Sequence, residues 1–470
     1  MPKAVVLAAL ATAAFVRFAA AGGMERATPE SQGVDSRAVL AWLDACDREL
    51  QYMHGFVIVR HGKIIAEGAW APFDTLERPH MLYSHSKSFT STAIGFLADD
   101  GKLDIDERIA DIFADKIPSN PPPWLAEVRV RDLLTMNFGS AADKPPKCNL
   151  KLGDWERGVL SRPMESRPGT RHRYDSDATY LLACIVERKS GKRLMEFLKE
   201  RLFDPLGMES PWSTVSPSGT ACGGWGMNMT TRDLAKFGQF LLNGGTWEGK
   251  RVMSADWIRL ATSKHTNSGG GPDWRMGYGF QFWRCRHNAY RADGAAGQYT
   301  IVMEDQDAVV SLNASVGDMQ KELDLVWKYL LPAFGPAPLP DAPESQKTLA
   351  DRVASLAIAP LPRGAQDAGA ALPAKVAIGR SDLGIGGEGT LEPVEGGWSL
   401  VSGDRRLGIG DGVWVETTWK FDDGNIEPLF RLVGTRTAIA SGAWKDAKTF
   451  KVAWHLLDAT QKGSFEVKVK

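Results

Sequence analysis

The chain has 470 residues, of which 43% are apolar and 24% charged, and its formal net charge is −1. That is ample for a packed core and sets the expectation of two to three domains at about 150 residues each. The near-zero charge, without any dense Lys/Arg run interleaved with aromatics, supplies no electrostatic footprint for nucleic acid.

Met1 to Ala21 reads MPKAVVLAALATAAFVRFAAA, with basic Lys3, an apolar run from Ala4 to Val16 and the small triplet Ala19-Ala20-Ala21 before Gly22. This is the layout of a secretory signal, too short to stay as a membrane span. The expectation is a periplasmic or secreted protein without stable membrane insertion once residues 1–21 are removed, its formal charge moving from −1 to −3 as Lys3 and Arg17 go. Arg17 interrupts the leader with a charge, and a start at Met24 instead gives a cytoplasmic protein.

Ser36 to Leu50 carries Val39, Leu40 and Leu43 at helical spacing. FVIVR and KIIAEGAW, joined by His61-Gly62 within Gly55 to Trp70, predict a β-hairpin with glycine where positive φ is needed. Tyr83 to Ile109 opens on small polar residues and a lysine and becomes a strongly apolar helix; a helical, loop-rich middle runs from Glu107 to about Thr262. Strand character returns in Met276 to Trp283 and in Tyr299 to Ser315, with a turn near Asp305 to Asp307. Strands early, helices in the middle and strands late predict an α+β domain, residues 26–332, whose sheet is assembled from both ends of the segment.

AFGPAPLPDAP, Ala333 to Pro343, reads as a semi-rigid linker extending to residue 345. Residues 346–470 read as a small β-rich domain, with strands over 399–409, 413–421, 449–457 and 464–469. GIGGEG, Gly384 to Gly389, matches G-x-G-x-x-G formally, but Pro393 and two glycines follow where a helix would have to start, so it is a turn. Five scattered cysteines without C-x-x-C spacing predict neither a disulfide framework nor a zinc site.

Three motifs carry chemistry. Ser84 and Lys87 form S-x-x-K, a spacing that puts both side chains on one helix face. A serine is a weak nucleophile until a base takes its proton, and lysine can be that base only when burial lowers its pKa from about 10.4. Phe89, Ala93, Ile94, Phe96 and Leu97 supply the burial. A bare S-x-x-K is expected about once or twice by chance in such a chain, so its context matters. Tyr174-Asp175-Ser176 sits in a polar loop before the helix of Ala178 to Val186, where a phenol can share a proton with the lysine. ADGAAGQYTIVM, Ala292 to Met303, places Gly294 and Gly297 before an apolar strand, so that backbone can approach a ligand and donate an N–H to an oxyanion.

In this order, and with VRVRDLLTMNFGSA, RPGTRHRYDSDATYLLACIVERKSGKRLMEFLKERLFDPLGM and GGWGMNMTTRDLAKFGQFLLNGGTWEGKRVMSADWI, the chain resembles the serine β-lactamase and penicillin-recognising superfamily, in its class C-like branch with esterases and 6-aminohexanoate-dimer hydrolases. The resemblance covers about Arg26 to Pro332. It implies an antiparallel sheet flanked by helices with a large helical insert, to which the C-terminal β domain is appended. It also implies Ser84 as acylated nucleophile, Lys87 as general base, Tyr174 as relay, Ser84 and Ala295 as oxyanion-hole amides, and Ser176 and Gly294 as supporting residues, with no metal or cofactor.

Two departures stand out. Ser176 replaces a frequent asparagine, offering fewer hydrogen bonds. Ala292-Asp293-Gly294 replaces a motif that usually opens with Lys or His, and Asp293 is expected to repel a substrate carboxylate. His85 and His172 flank the motifs and read as pocket lining, and Trp225, Trp274, Tyr278, Phe280 and Trp283 as candidate walls of an apolar cleft. The expected function is a serine hydrolase acting on a small ester or amide. The alternatives are a β-lactamase or D,D-peptidase-like enzyme and a non-catalytic binding protein of the same fold.

Overall fold

The computed structural model describes residues 23–141, 153–209, 211–363, 372–421 and 434–470, so the leader Met1 to Ala21 lies outside the described residues. The main sheet has six strands: β1 (Met53–Arg60), β2 (Lys63–Ala69), β3 (Trp283–Arg284), β4 (Tyr290–Gly294), β5 (Gln298–Met303) and β6 (Ala308–Ala314). Their order is β2-β1-β6-β5-β4-β3 and every neighbouring pair is antiparallel. The early hairpin and the late strands meet at β1 and β6, where Phe56 faces Leu312 and Ile58 faces Val310. The hairpin turn has His61 at φ 49° and Gly62 at φ 74°, the pair of positive angles that matches the twist of the strands.

Alternation along β1 divides the interior into two cores. Phe56 and Ile58 pack with Trp42 and Leu43 of helix α1 (Ser36–Glu49), whereas Val57 and Val59 face Phe89 of α2 (Ser86–Asp99) and Phe237 of α4 (Thr231–Leu242), with α3 (Ser176–Ser190) beyond. A strand covered on both faces needs apolar residues at consecutive positions, which is why FVIV is unbroken. Each fully buried side chain of this size contributes about 1.5–3 kcal/mol.

The run Met276 to Trp283 departs from its expected strand: only Trp283 joins the sheet, and the preceding residues form a 3-10 turn and irregular backbone tied by bridges through Tyr278. A helix, α5 (Pro343–Ala354), occupies the boundary between the expected linker and β domain, with proline at its first turn. Leu349 enters the α1-side core, and Arg352 Nε reaches Asp44 Oδ1 at 2.9 Å.

Beyond it lie β7 (Ala374–Ile378), β8 (Gly387–Val394), β9 (Gly397–Ser402), β10 (Arg405–Asp411), β11 (Val415–Phe421), β12 (Gly434–Trp444), β13 (Thr449–Leu456) and β14 (Lys462–Val469). They form one sheet in the order β10-β9-β8-β7-β14-β13-β12-β11, and a short parallel pairing of β10 with β12 curls it into a barrel-like shape. The single strand expected over 399–409 is thus a hairpin, turning at Gly403, and GIGGEG, expected as a turn, is a loop only over Gly384 to Gly386, its last three residues opening β8, with no helix behind it. No helix among the described residues is long and apolar enough to cross a membrane.

Candidate active site

Helix α2 is buried on all sides from Ser86 to Leu97, which makes it the axis of the helical half. Three of its hydroxyls are satisfied by backbone carbonyls: Ser88 Oγ donates to Gln281 O at 2.8 Å, Thr90 Oγ1 to Gly223 O at 2.9 Å and Thr92 Oγ1 to Ser88 O at 2.8 Å. Ser84 lies just ahead, in a 3-10 turn over Tyr83–His85, so Ser84 and Lys87 sit on successive turns at the helix mouth.

Lys87 is 1% exposed. Its Nζ lies 3.0 Å from Ser84 Oγ and 3.0 Å from Ser176 Oγ, and donates to Gly224 O at 2.6 Å. Burial lowers the ammonium from 10.5 to about 7, against the opposing pull of Asp175, Asp293 and Asp177. The Tyr174 ring covers the amine from 4.7 Å. Burial drives its phenol above the usual range, with the Ser84 hydroxyl pulling the other way. At neutral pH the tyrosine therefore keeps its proton while the amine divides between its two states. The sequence motifs thus bring Ser84, Lys87, Tyr174 and Ser176 into one cluster.

Ser176 is the first residue of α3, and Asp175 caps that helix by accepting from Asp177 N at 3.0 Å and Ala178 N at 3.4 Å. Behind the cap a buried Arg162 pairs with Asp175 and, at 3.0 Å, with Asp177, while donating to Ser140 Oγ at 2.8 Å. This network fixes the loop that carries Tyr174. Gln281 is a second brace, accepting from Thr179 Oγ1 at 2.7 Å and donating to Leu133 O at 3.0 Å and Leu134 O at 2.8 Å.

Gly294 ends β4 directly against the Ser84 turn: a Cβ there would lie 2.0 Å from Leu82 O and 3.2 Å from His85 N. Only a residue without a side chain permits this approach of β4 to the turn that carries Ser84. Gln298 Nε2 pins the Ala295 turn through its carbonyl at 3.2 Å and Ala314 O at 2.7 Å.

Asp293 departs from its expected behaviour as a bare anion. Arg291, two residues earlier on the same strand face, donates from Nε to Asp293 Oδ2 at 2.8 Å, and its guanidinium lies 4.5 Å from the Trp274 ring centroid. The pair nearly cancels in charge, so the repulsion of a substrate carboxylate is blunted.

His85 is buried, its Nε2 lying 2.9 Å from Thr300 Oγ1; burial holds its pKa down to about 3, and His172 is held to about 4 for the same reason. Both rings are neutral at pH 7, and His172 lies 5.3 Å from the Tyr278 ring. Of the candidate aromatic walls, Trp274, Tyr278 and Trp283 gather around Tyr174, with Trp283 stacked on it at 5.7 Å. Trp225 and Phe280 belong instead to the main core, the first stacked on Trp155 and the second against Trp257. Sequence reasoning missed Gly224, Arg162, Gln281 and Arg291; of these only Gly224, in the doublet Gly223-Gly224 before an aromatic, had a local signal.

The family model described as Beta-lactamase matches residues 47–331, more than half of the chain. The 6-aminohexanoate-dimer hydrolase of Paenarthrobacter ureafaciens is 27% identical over 257 residues, which are 51% of this chain and 65% of that enzyme, so the match spans just under two thirds of the relative. The D-aminopeptidase of Brucella anthropi is 28% identical over 166 residues, 33% of this chain and 31% of its own length. In fold alone, the octameric penicillin-binding protein homologue from Pyrococcus abyssi superposes with a TM-score of 0.51 at 15% identity, over 93% of this chain and 96% of that one. The chain belongs to the Beta-lactamase family of serine hydrolases.

Proposed function

We propose that the protein hydrolyses small carboxylic esters or unactivated amides through an acyl-enzyme on Ser84. The observation that carries this reading is the environment of Lys87 Nζ: buried, brought to about 7, and bounded by Ser84 Oγ, Ser176 Oγ and Gly224 O. A neutral amine has two N–H bonds and one lone pair. Gly224 O must take one N–H and Ser176 Oγ can take the other, which leaves the lone pair for the Ser84 proton.

In the first step Ser84 Oγ bonds to the substrate carbonyl carbon as its proton passes to Lys87. The carbonyl oxygen, now negative, is held by the amides of Ser84 and Ala295. Tyr174, which keeps its proton at rest, delivers it to the departing oxygen or nitrogen and is reprotonated from Lys87. Water then attacks the acyl group along the same relay in reverse. That the relatives are named as a 6-aminohexanoate-dimer hydrolase and a D-aminopeptidase favours amides.

The test is intact mass after a reactive fluorophosphonate, for the protein and for Ser84→Ala, followed by p-nitrophenyl esters, short linear amides and a penicillin. A single adduct, lost in Ser84→Ala, with ester or amide turnover is the expected result. Penicillin turnover alone would move the substrate class to β-lactams, and the absence of both adduct and turnover would leave a binding protein.

A further inference from the structure

Tyr83, the residue before the proposed nucleophile, is 2% exposed and has φ 49°, a left-handed conformation that a bulky side chain adopts only when its surroundings enforce it. The partners of its side-chain hydroxyl come from the other end of the chain. The Tyr83 hydroxyl lies 2.8 Å from Thr460 Oγ1 and accepts from Gln461 Nε2 at 2.9 Å. Both residues belong to the turn between β13 and β14, the last two strands of the C-terminal sheet.

That turn makes further contacts with the first domain. Met81 N donates to Asp458 O at 2.9 Å, so the backbone entering the Ser84 turn is bonded to it. Ser315 Oγ, just past β6, donates to Thr460 O at 2.6 Å, and Lys462 Nζ donates to Ser315 Oγ at 2.6 Å. Met81 and Tyr83 are themselves members of the C-terminal domain's apolar core, and Ala295 packs against it. One turn therefore touches the chain just before Ser84 and just past the end of β6.

We infer that the C-terminal β domain is a working part of the active site, its turn Asp458 to Gln461 positioning Ser84 through the hydrogen-bonded phenol of Tyr83. This rests on Ser84 being the nucleophile. Thr460, Gln461 and Tyr83 are positioning residues: they hold the backbone whose N–H and hydroxyl do the chemistry. Losing one buried hydrogen bond of this kind is expected to slow the acylation step about fivefold to tenfold.

The experiment uses the full chain and the variants Tyr83→Phe, Thr460→Val, Thr460→Ser and the double Tyr83→Phe/Thr460→Val, measuring the rate of Ser84 phosphonylation, kcat and KM on a p-nitrophenyl ester, and thermal midpoint. The expected result is that Tyr83→Phe and Thr460→Val each lower the labelling rate and kcat about fivefold to tenfold with KM within about twofold, as for a group acting only on the reacting atoms. Thr460→Ser, which keeps the hydroxyl, restores the rate, and the double variant is no slower than Tyr83→Phe, which already removes the contact that Thr460→Val breaks. Labelling of wild type and variants at one rate, or a rise in KM with kcat unchanged, overturns the positioning role alone. No labelling of the unsubstituted protein overturns the nucleophile and the positioning role together.

Discussion

If Lys87 is the base, the rate of Ser84 acylation must titrate with it, and the structure says where. Burial moves the amine from 10.5 to about 7. At pH 7 about half of it is then neutral, against about one part in 3,000 for an ordinary lysine, so desolvation raises the active population by about three orders of magnitude. The shift corresponds to about 5 kcal/mol against the charged form, at 1.36 kcal/mol per unit, and the acidic residues Asp175, Asp293 and Asp177 have already been subtracted from it. The measurement is the second-order rate of fluorophosphonate labelling at Ser84 between pH 5 and 9, at constant ionic strength. The expected profile rises tenfold per pH unit up to about 7 and is flat above about 8. Lys87→Arg, which keeps a cation that cannot lose its proton, is expected to show no labelling across the range. A profile flat from pH 5, or one still rising at pH 9, would refute the reasoning, since the first removes a base of this pKa and the second restores an ordinary lysine.

Three further outcomes follow from particular contacts. Gly294→Ala places a methyl 2.0 Å from Leu82 O, a backbone atom that cannot swing aside, so activity is expected to vanish and stability to fall by about 1–3 kcal/mol, read by urea titration. Arg162→Ala leaves Asp175 and Asp177 buried and uncompensated, with an expected loss of about 3–5 kcal/mol in the same assay; equal stability would mean the network is not formed. Acid should also weaken the fold. His80 is held neutral at about 4, and His85 and His455 at about 3, below their unfolded value near 6.5, so their contribution is complete above about 6.5 and is lost as pH falls. Each removes about 2 kcal/mol by pH 5, partly offset by Glu322, whose carboxyl burial raises well above its usual range, an effect of the opposite sign. Urea midpoints at pH 7 and 5 test this; a higher midpoint at pH 5 would contradict it.

Much of the site was legible locally. Ser84 and Lys87 sit at a spacing that any helical backbone resolves into neighbours, and the apolar run behind them could only be an interior helix. The hairpin of β1 and β2 was legible from two β-rich runs and His61-Gly62, because a two-residue turn is a local property. The family was legible as a resemblance carried by the motifs in their order, and the α+β class and C-terminal β domain from the run of strand and helix patterns.

Other features depend on partners that sequence spacing does not reveal. Gly224 supplies a carbonyl to Lys87 across 137 residues, and Thr460 reaches Tyr83 across 377. Trp225 and Phe280 looked like cleft walls because aromatic content is visible in sequence while the direction a side chain takes is set by packing. Asp293 looked like a free anion until the pleat brought Arg291 onto its face, and helix α5 stands where a linker gives way to the expected strands because α1 offers it an apolar and acidic face. Local propensity, helical spacing and turn chemistry are short-range, so the sequence by itself determined which residues could be nucleophile, base and relay. Burial, charge neutralisation and the docking of the last hairpin against the Tyr83 turn are long-range, so only the tertiary structure decided that Lys87 is desolvated and that Thr460 and Gln461 reach the residue before Ser84.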